Sequence, residues 1–140
     1  MNWTNWLTLG LAVLGATLGV FNAVWLIRKD TVRLKVSCTS LFIPSTGTWT
    51  CAVEVVNVGY LPVTINEVAF RHGRRSKTRA AVITDYLQRT RLPLRLEPRT
   101  AVSIAAQPQM LADIESGRFS WCSTRTACGI ELFAKIKRLR

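Results

Sequence analysis

The stretch from Leu7 to Ile27, LTLGLAVLGATLGVFNAVWLI, runs for 21 residues without a charge and is closed by Arg28-Lys29. As a helix rising ~1.5 Å per residue it would reach ~31 Å, about the thickness of a bilayer's hydrocarbon core. A membrane span is therefore expected. A cleaved signal peptide needs a basic start, a short apolar region and a small-x-small cleavage site. Met1 to Ile27 contains no Lys or Arg, and the Arg28-Lys29-Asp30 that follows is no cleavage site. The reading is an uncleaved single-pass anchor over residues 1–29 and one attached domain over residues 30–140.

Flanking charge sets the expected orientation. Arg28, Lys29, Arg33 and Lys35 follow the span and nothing basic precedes it. The positive-inside rule then places the domain in the cytoplasm of a bacterial cell, beneath the inner membrane, with the short N-terminus outside. Trp3 and Trp6 at one end and Trp25 at the other suit the two interfaces. Gly15, Gly19 and Ala23 recur every four residues, with Asn22 beside them. Small residues at that spacing let a second helix approach, and Asn22 can hydrogen-bond across the pair, so a homodimer through the helix is one expectation and a monomeric anchor the other.

About 110 residues remain after the span, enough for one core. All 19 Lys and Arg and all 8 Asp and Glu lie at or after Arg28, so the domain side carries the whole net charge of +11. Such a surface prefers an anionic partner. Its densest part is Arg71 to Arg79, where Arg71, Arg74, Arg75, Lys77 and Arg79 stand in a polar loop without an acid. Anionic lipid headgroups are the first expected partner, since each cation near such a leaflet contributes ~1 kcal/mol. An unidentified protein partner comes second. Nucleic acid comes well behind, because aromatics for base stacking are not interleaved with the cations. Arg89, Arg91, Arg95, Arg99, Lys135, Lys137, Arg138 and Arg140 would extend that face.

The domain reads as β. Val32, Leu34, Val36 and Cys38 alternate with polar residues, a turn follows from Ile43 to Thr48, and Trp49, Cys51, Val53 and Val55 alternate again, which predicts a hairpin. Pro62 to Phe70 is a third strand whose apolar phase slips near Asn66-Glu67, the mark of a bulge. Ala80 to Ile83, Leu92 to Leu96, Thr100 to Ala106, a strand through Phe119 and Trp121, and Gly129 to Lys137 follow, with a helical turn or two at Pro108 to Ser116. About seven strands with regular turns and little helix predict an antiparallel, immunoglobulin-like β-sandwich.

The uncharged helix ending in Arg-Lys, the basic first strand, Pro62-Val-Thr-Ile-Asn-Glu-Val68, Leu96-Glu-Pro-Arg99 and Thr126-Ala-Cys-Gly129 together resemble a group of uncharacterised small bacterial and prophage membrane proteins. The chain stops at Leu139-Arg140 where that group carries a longer tail. The resemblance implies one N-terminal span and an immunoglobulin-like sandwich; it implies no site residues.

Cys38 and Cys51 fall nearly opposite each other on the presumed inner face of the first hairpin, and Cys122 and Cys128 flank a short loop. In the periplasm each pair would be a disulfide; in the cytosol all four would stay thiols. Their spacings are not those of zinc ligands. His72, the lone histidine, lies in the basic loop with no positioned partner, and Asp113 and Glu115 do not share a helix face. No nucleophile elbow or phosphate loop is present, and Gly15-Ala-Thr-Leu-Gly19 lies inside the span. We expect no catalytic residues, cofactor or metal, and a membrane-anchored scaffold that binds a protein partner. The alternatives are a periplasmic disulfide-stapled envelope or phage-exclusion protein, and a membrane-active toxin or lysis factor that acts through its helix.

Overall fold

A computed structural model describes residues 2–137. The chain divides into two compact units, Met1–Thr31 and Val32–Arg140. The first is helix α1, Trp3–Lys29, in which no side chain is buried. It is long and apolar enough to cross a membrane. Two of its hydroxyls are satisfied within the helix, as a hydrocarbon environment would demand: Thr8 donates to the Thr4 carbonyl at 2.8 Å and Thr17 to that of Leu14 at 2.9 Å. Arg28 and Lys29 occupy the last turn, where the helix dipole favours cations.

The second unit has eight strands among the described residues: β1 Leu34–Ile43, β2 Thr48–Asn57, β3 Val63–Arg71, β4 Arg79–Val82, β5 Leu94–Leu96, β6 Ala101–Ala105, β7 Trp121–Thr126 and β8 Glu131–Lys135. A short helix, α2 Pro108–Glu115, follows β6 and opens on a proline, whose fixed φ suits a first turn. The strands form two antiparallel sheets. One runs β1-β2-β6; the other runs β4-β3-β7-β8, with β5 also pairing with β3. Hydrophobic faces of both sheets share one core. Cys51, Val53 and Val55 of β2 and Ile104 of β6 meet Ile65, Val68 and Phe70 of β3 and Cys122 of β7.

The first hairpin has the expected phase: Leu34, Val36 and Cys38 pack against the core built on Cys51, Val53 and Val55. The bulge is also where the slipped phase put it, with the β3–β7 register shifting between Ile65 and Glu67. That extra residue lets Ile65 and Val68 both point inward, although three positions apart on a strand they would otherwise face opposite sides.

Three expectations need correction. Trp49 is exposed and packs at a tilt on Phe42 with ring centroids 5.1 Å apart, because the hairpin runs past the core at its tip. The last strand begins at Glu131, so Ile130 belongs to an exposed turn while Ala134 and Ile136 alone of its series pack on the core. Arg71 and Arg79 belong to strands and not to the loop between them. Arg138 and Arg140 lie outside the described residues.

Two buried polar side chains organise the loops. The Asp85 carboxylate accepts from the backbone N–H of Ala105 at 2.8 Å, of Arg89 at 3.0 Å and of Leu87 at 3.4 Å, tying the β4–β5 connection to the edge strand β6. Asn57, fully buried, donates to the carbonyls of Leu61 and Leu96 and accepts from the Gly59 N–H. One buried hydroxyl, Thr124 Oγ1, has no partner among the described residues. An unpaired buried hydroxyl costs ~1–3 kcal/mol, and valine has the same shape without it. Thr124→Val should therefore stabilise the chain by about 1 kcal/mol. Denaturant unfolding of the full chain in detergent measures this, and a loss of stability would show that Thr124 has a partner after all.

Candidate functional site

The end of β3 holds the most elaborate polar cluster in the domain. On its inward parity β3 sends Phe70 into the core; on the outward parity it sends Arg71 across the face of β7 and β8. Arg71 Nε donates to Ser123 Oγ at 3.2 Å, Nη1 to the Ser76 carbonyl at 2.7 Å, and Nη2 pairs with the Glu131 carboxylate. The guanidinium carbon also lies 5.3 Å from the centroid of the Phe133 ring. With 7% of its side chain exposed, this arginine is a structural tie and not a surface cation. The guanidinium can leave water there because carboxylate, hydroxyl, carbonyl and ring replace it together. Arg79 sits directly across from Arg71 in the β3–β4 register. Two facing cations would repel, and Arg79 is neutralised separately by Glu67 at 2.6 Å.

Of the five cations expected to act together, the structure thus removes Arg71 and Arg79 and leaves Arg74, Arg75 and Lys77. All three are exposed and without an ion pair among the described residues. Arg74 lies over the Phe133 ring at 6.0 Å. Sequence alone hid this, because Ser123 and Glu131, which claim Arg71, are 52 and 60 residues away along the chain and Phe133 is as distant from Arg74. Beside the loop is a groove of about 350 Å³ lined by His72, Thr78, Arg79, Ala80, Arg118 and Phe119. Its titratable groups already have partners: Arg79 with Glu67, Arg118 with Asp113 at 3.4 Å, and His72 Nδ1 with the Arg118 carbonyl at 3.1 Å. No carboxylate or thiol is set against the imidazole in that lining, so the groove lacks an acid–base pair. Among the described residues no cluster of His, Cys, Asp and Glu could hold a metal.

The basic loop stands at one end of the sandwich. The chain enters the domain at the other. There Arg33 offers its carbonyl to the N–H groups of Val58 at 2.9 Å and Gly59 at 3.2 Å, and Asn57 holds the same turn from beneath. Tyr60 projects from that turn; Arg99 Nη2 donates to its hydroxyl at 3.2 Å, and the guanidinium lies 5.1 Å from its ring centroid. The β7–β8 turn joins this rim through the Ala127 N–H, which donates to the Thr64 carbonyl at 2.8 Å.

Of the two expected pairs, Cys122 and Cys128 are held apart, whereas Cys38 and Cys51 are neighbours on the hairpin. Cys122 is buried near the start of β7, and its Sγ contacts the Ala134 carbonyl at 3.5 Å, whereas Cys128 is exposed in the turn past the strand's other end. Thr126 lies four residue steps along the strand from Cys122, or ~13 Å, beyond disulfide reach. Cys38 faces Val53 and Cys51 faces Ser40, so these two are diagonal neighbours and not opposite. The Cys38 thiol donates to Cys51, which with burial raises the Cys38 pKa above the ordinary thiol value. Burial pushes Cys122, in the same core, up to about 11. Cys128 behaves otherwise: the Thr126 hydroxyl, 3.1 Å away, and the Ile130 N–H lower its pKa.

On α1, a side chain added at Gly15 or Gly19 would meet nothing within 4 Å in this single chain, so the strip they form with Ala23 is open. Asn22 lies seven residues from Gly15 and three from Gly19, on the same face.

Two outcomes follow. Arg71→Ala should cost about 2–3 kcal/mol, below the full penalty for a broken buried pair because Glu131 keeps some water, while Arg75→Ala should stay within about 0.5 kcal/mol. Equal effects in denaturant unfolding would contradict the division of the loop. In the folded chain Cys128 should alkylate first, with a rate that rises at lower pH than for a thiol of the unfolded chain. Thr126→Val should move that rise upward; Cys51 and Cys122 should react only on unfolding.

No protein-family model and no curated protein matches this chain. The roles of its residues rest on their geometry alone.

Proposed function

We propose that the chain is a single-pass, membrane-anchored binding protein without catalytic activity, whose basic sandwich lies at the cytoplasmic face of a bacterial inner membrane and engages a protein partner. The observation that carries this reading is charge placement: Met1 to Ile27 carries no charged side chain, and every cation lies at or after Arg28, on one side of the span only. Arg74, Arg75 and Lys77, left free by the folding of Arg71 and Arg79 into ion pairs, suit an acidic partner surface, and the tilted Phe42–Trp49 pair on the β1–β2 hairpin adds exposed aromatic area at the same end of the sandwich. The immunoglobulin-like reading of the fold is supported by its crossovers: β2 to β3 and β6 to β7 each pass from one sheet to the other. Homodimerisation through Gly15, Gly19, Asn22 and Ala23 is supported by the open strip and by an Asn22 side chain that makes no hydrogen bond among the described residues.

Cys128 serves as a native topology reporter, since it is exposed in the folded domain. A membrane-impermeant thiol reagent should label it only after spheroplasts are lysed, without prior reduction. Labelling in intact spheroplasts would place the domain outside and favour the envelope reading. In a membrane cross-linking assay, Gly15→Leu with Gly19→Leu should abolish a helix-mediated dimer; an unchanged dimer band would remove the helix from the interface.

A further inference from the structure

We infer that the rim where the chain enters the sandwich is a docking surface for the anionic headgroups of the bilayer that α1 spans, built on Arg33, Val58, Tyr60, Arg99 and Ile130. The inference rests on the reading of α1 as a membrane anchor and deepens it by naming what holds the domain at the surface.

Chain continuity comes first. Four residues, Asp30 to Arg33, connect α1 to β1, a reach of at most ~14 Å. The turn at Val58–Tyr60 is hydrogen-bonded to the last of those four. The basic loop starts at the other end of β3, ~26 Å of strand away, while charges in physiological salt are screened beyond ~8 Å. The rim is thus the part of the domain that the covalent chain keeps near the headgroups.

Its chemistry fits that location. Val58 and Ile130 are 51% and 41% exposed and Tyr60 is 48% exposed, so apolar side chains are offered to solvent at the tips of two turns. Neither turn is loose: Asn57 and the Arg33 carbonyl hold the first, and the Thr126 hydroxyl and carbonyl hold the second through the Ile130 and Gly129 N–H groups. Tyrosine is favoured at membrane interfaces because its ring is apolar and its hydroxyl is not. Arg99 is stacked on that ring and has no carboxylate partner among the described residues, leaving its charge for a phosphate; Arg95 nearby is paired with Glu97 at 3.0 Å and contributes less.

The test uses the full chain reconstituted in vesicles of phosphatidylcholine alone or with roughly a third phosphatidylglycerol, an alkaline wash to confirm insertion, and amide hydrogen exchange read by mass spectrometry. Peptides covering residues 57–62 and 127–131 should exchange about fivefold more slowly on the anionic vesicles, the factor one cation near such a surface confers. The difference should vanish in about 1 M NaCl, where screening shortens to ~3 Å. It should also shrink in Tyr60→Ser with Arg99→Gln, whose folding is read from unchanged exchange in β2 and β3. Equal exchange on both vesicles, or slowing confined to residues 72–78, overturns the docking surface while leaving the anchor intact. A chain removed by the alkaline wash overturns both. Slowing on both vesicle types alike would mean apolar contact without headgroup recognition and also overturns it. Because vesicles impose no compartment, the result is independent of the Cys128 labelling.

Discussion

Burial of Ile65, Val68 and Phe70 from a single strand imposes an order on the whole domain. β3 pairs with β4, β5 and β7, so every strand of the larger sheet except β8 is referred to its register. Strict alternation cannot send both Ile65 and Val68 inward. The bulge between Ile65 and Glu67 resolves the conflict, and it does so at a cost of one unpaired residue in the ladder. The same correction sets the other face. Glu67, Ala69 and Arg71 all turn outward once the phase has slipped, and this is what brings Glu67 to Arg79 and Arg71 to Glu131. Core and surface electrostatics therefore share one cause.

That coupling explains which parts of the molecule were legible from residues alone. Features written over short distances were readable: the 27-residue helix, the first hairpin, the bulge and the turn at Pro108. Each depends on periodicity or turn chemistry within a dozen residues. The basic loop failed as a unit because its charges are assigned by long-range pairing. Arg71 and Arg75 look equivalent in sequence, yet one lies on a strand facing Ser123 and Glu131 and the other beyond the strand's end. A run of cations says how much charge a segment has. It does not say which charges remain after folding, and only those can attract a partner.

The rim at the opposite end was not read as a unit for the complementary reason, and Arg99, expected to extend the face of the basic loop, sits on Tyr60 at this end instead. Val58, Tyr60, Arg99 and Ile130 come from three separate connections and form no run in the sequence. What could have found them is the strand order: once β1 and β2 are an antiparallel hairpin, the turn after β2 must return to where β1 begins. Leu34 pairs with Asn57, so the residues just past Asn57 necessarily lie beside the chain's point of entry. Arg99 follows by the same logic, because Val56 pairs with Ala101 at the start of β6.

The thiols show how register changes an argument about compartment. An even number of cysteines with two short spacings suggested two bridges and hence an oxidising environment. In the fold the four divide as three in or against the core and one on the surface, and the surface thiol is the one that sequence spacing would have joined to Cys122. Parity therefore loses half its force, since Cys122 and Cys128 are held apart while Cys38 and Cys51 stay neighbours in or against the core. The positive charge that follows the helix keeps its force, because it depends on position along the chain alone.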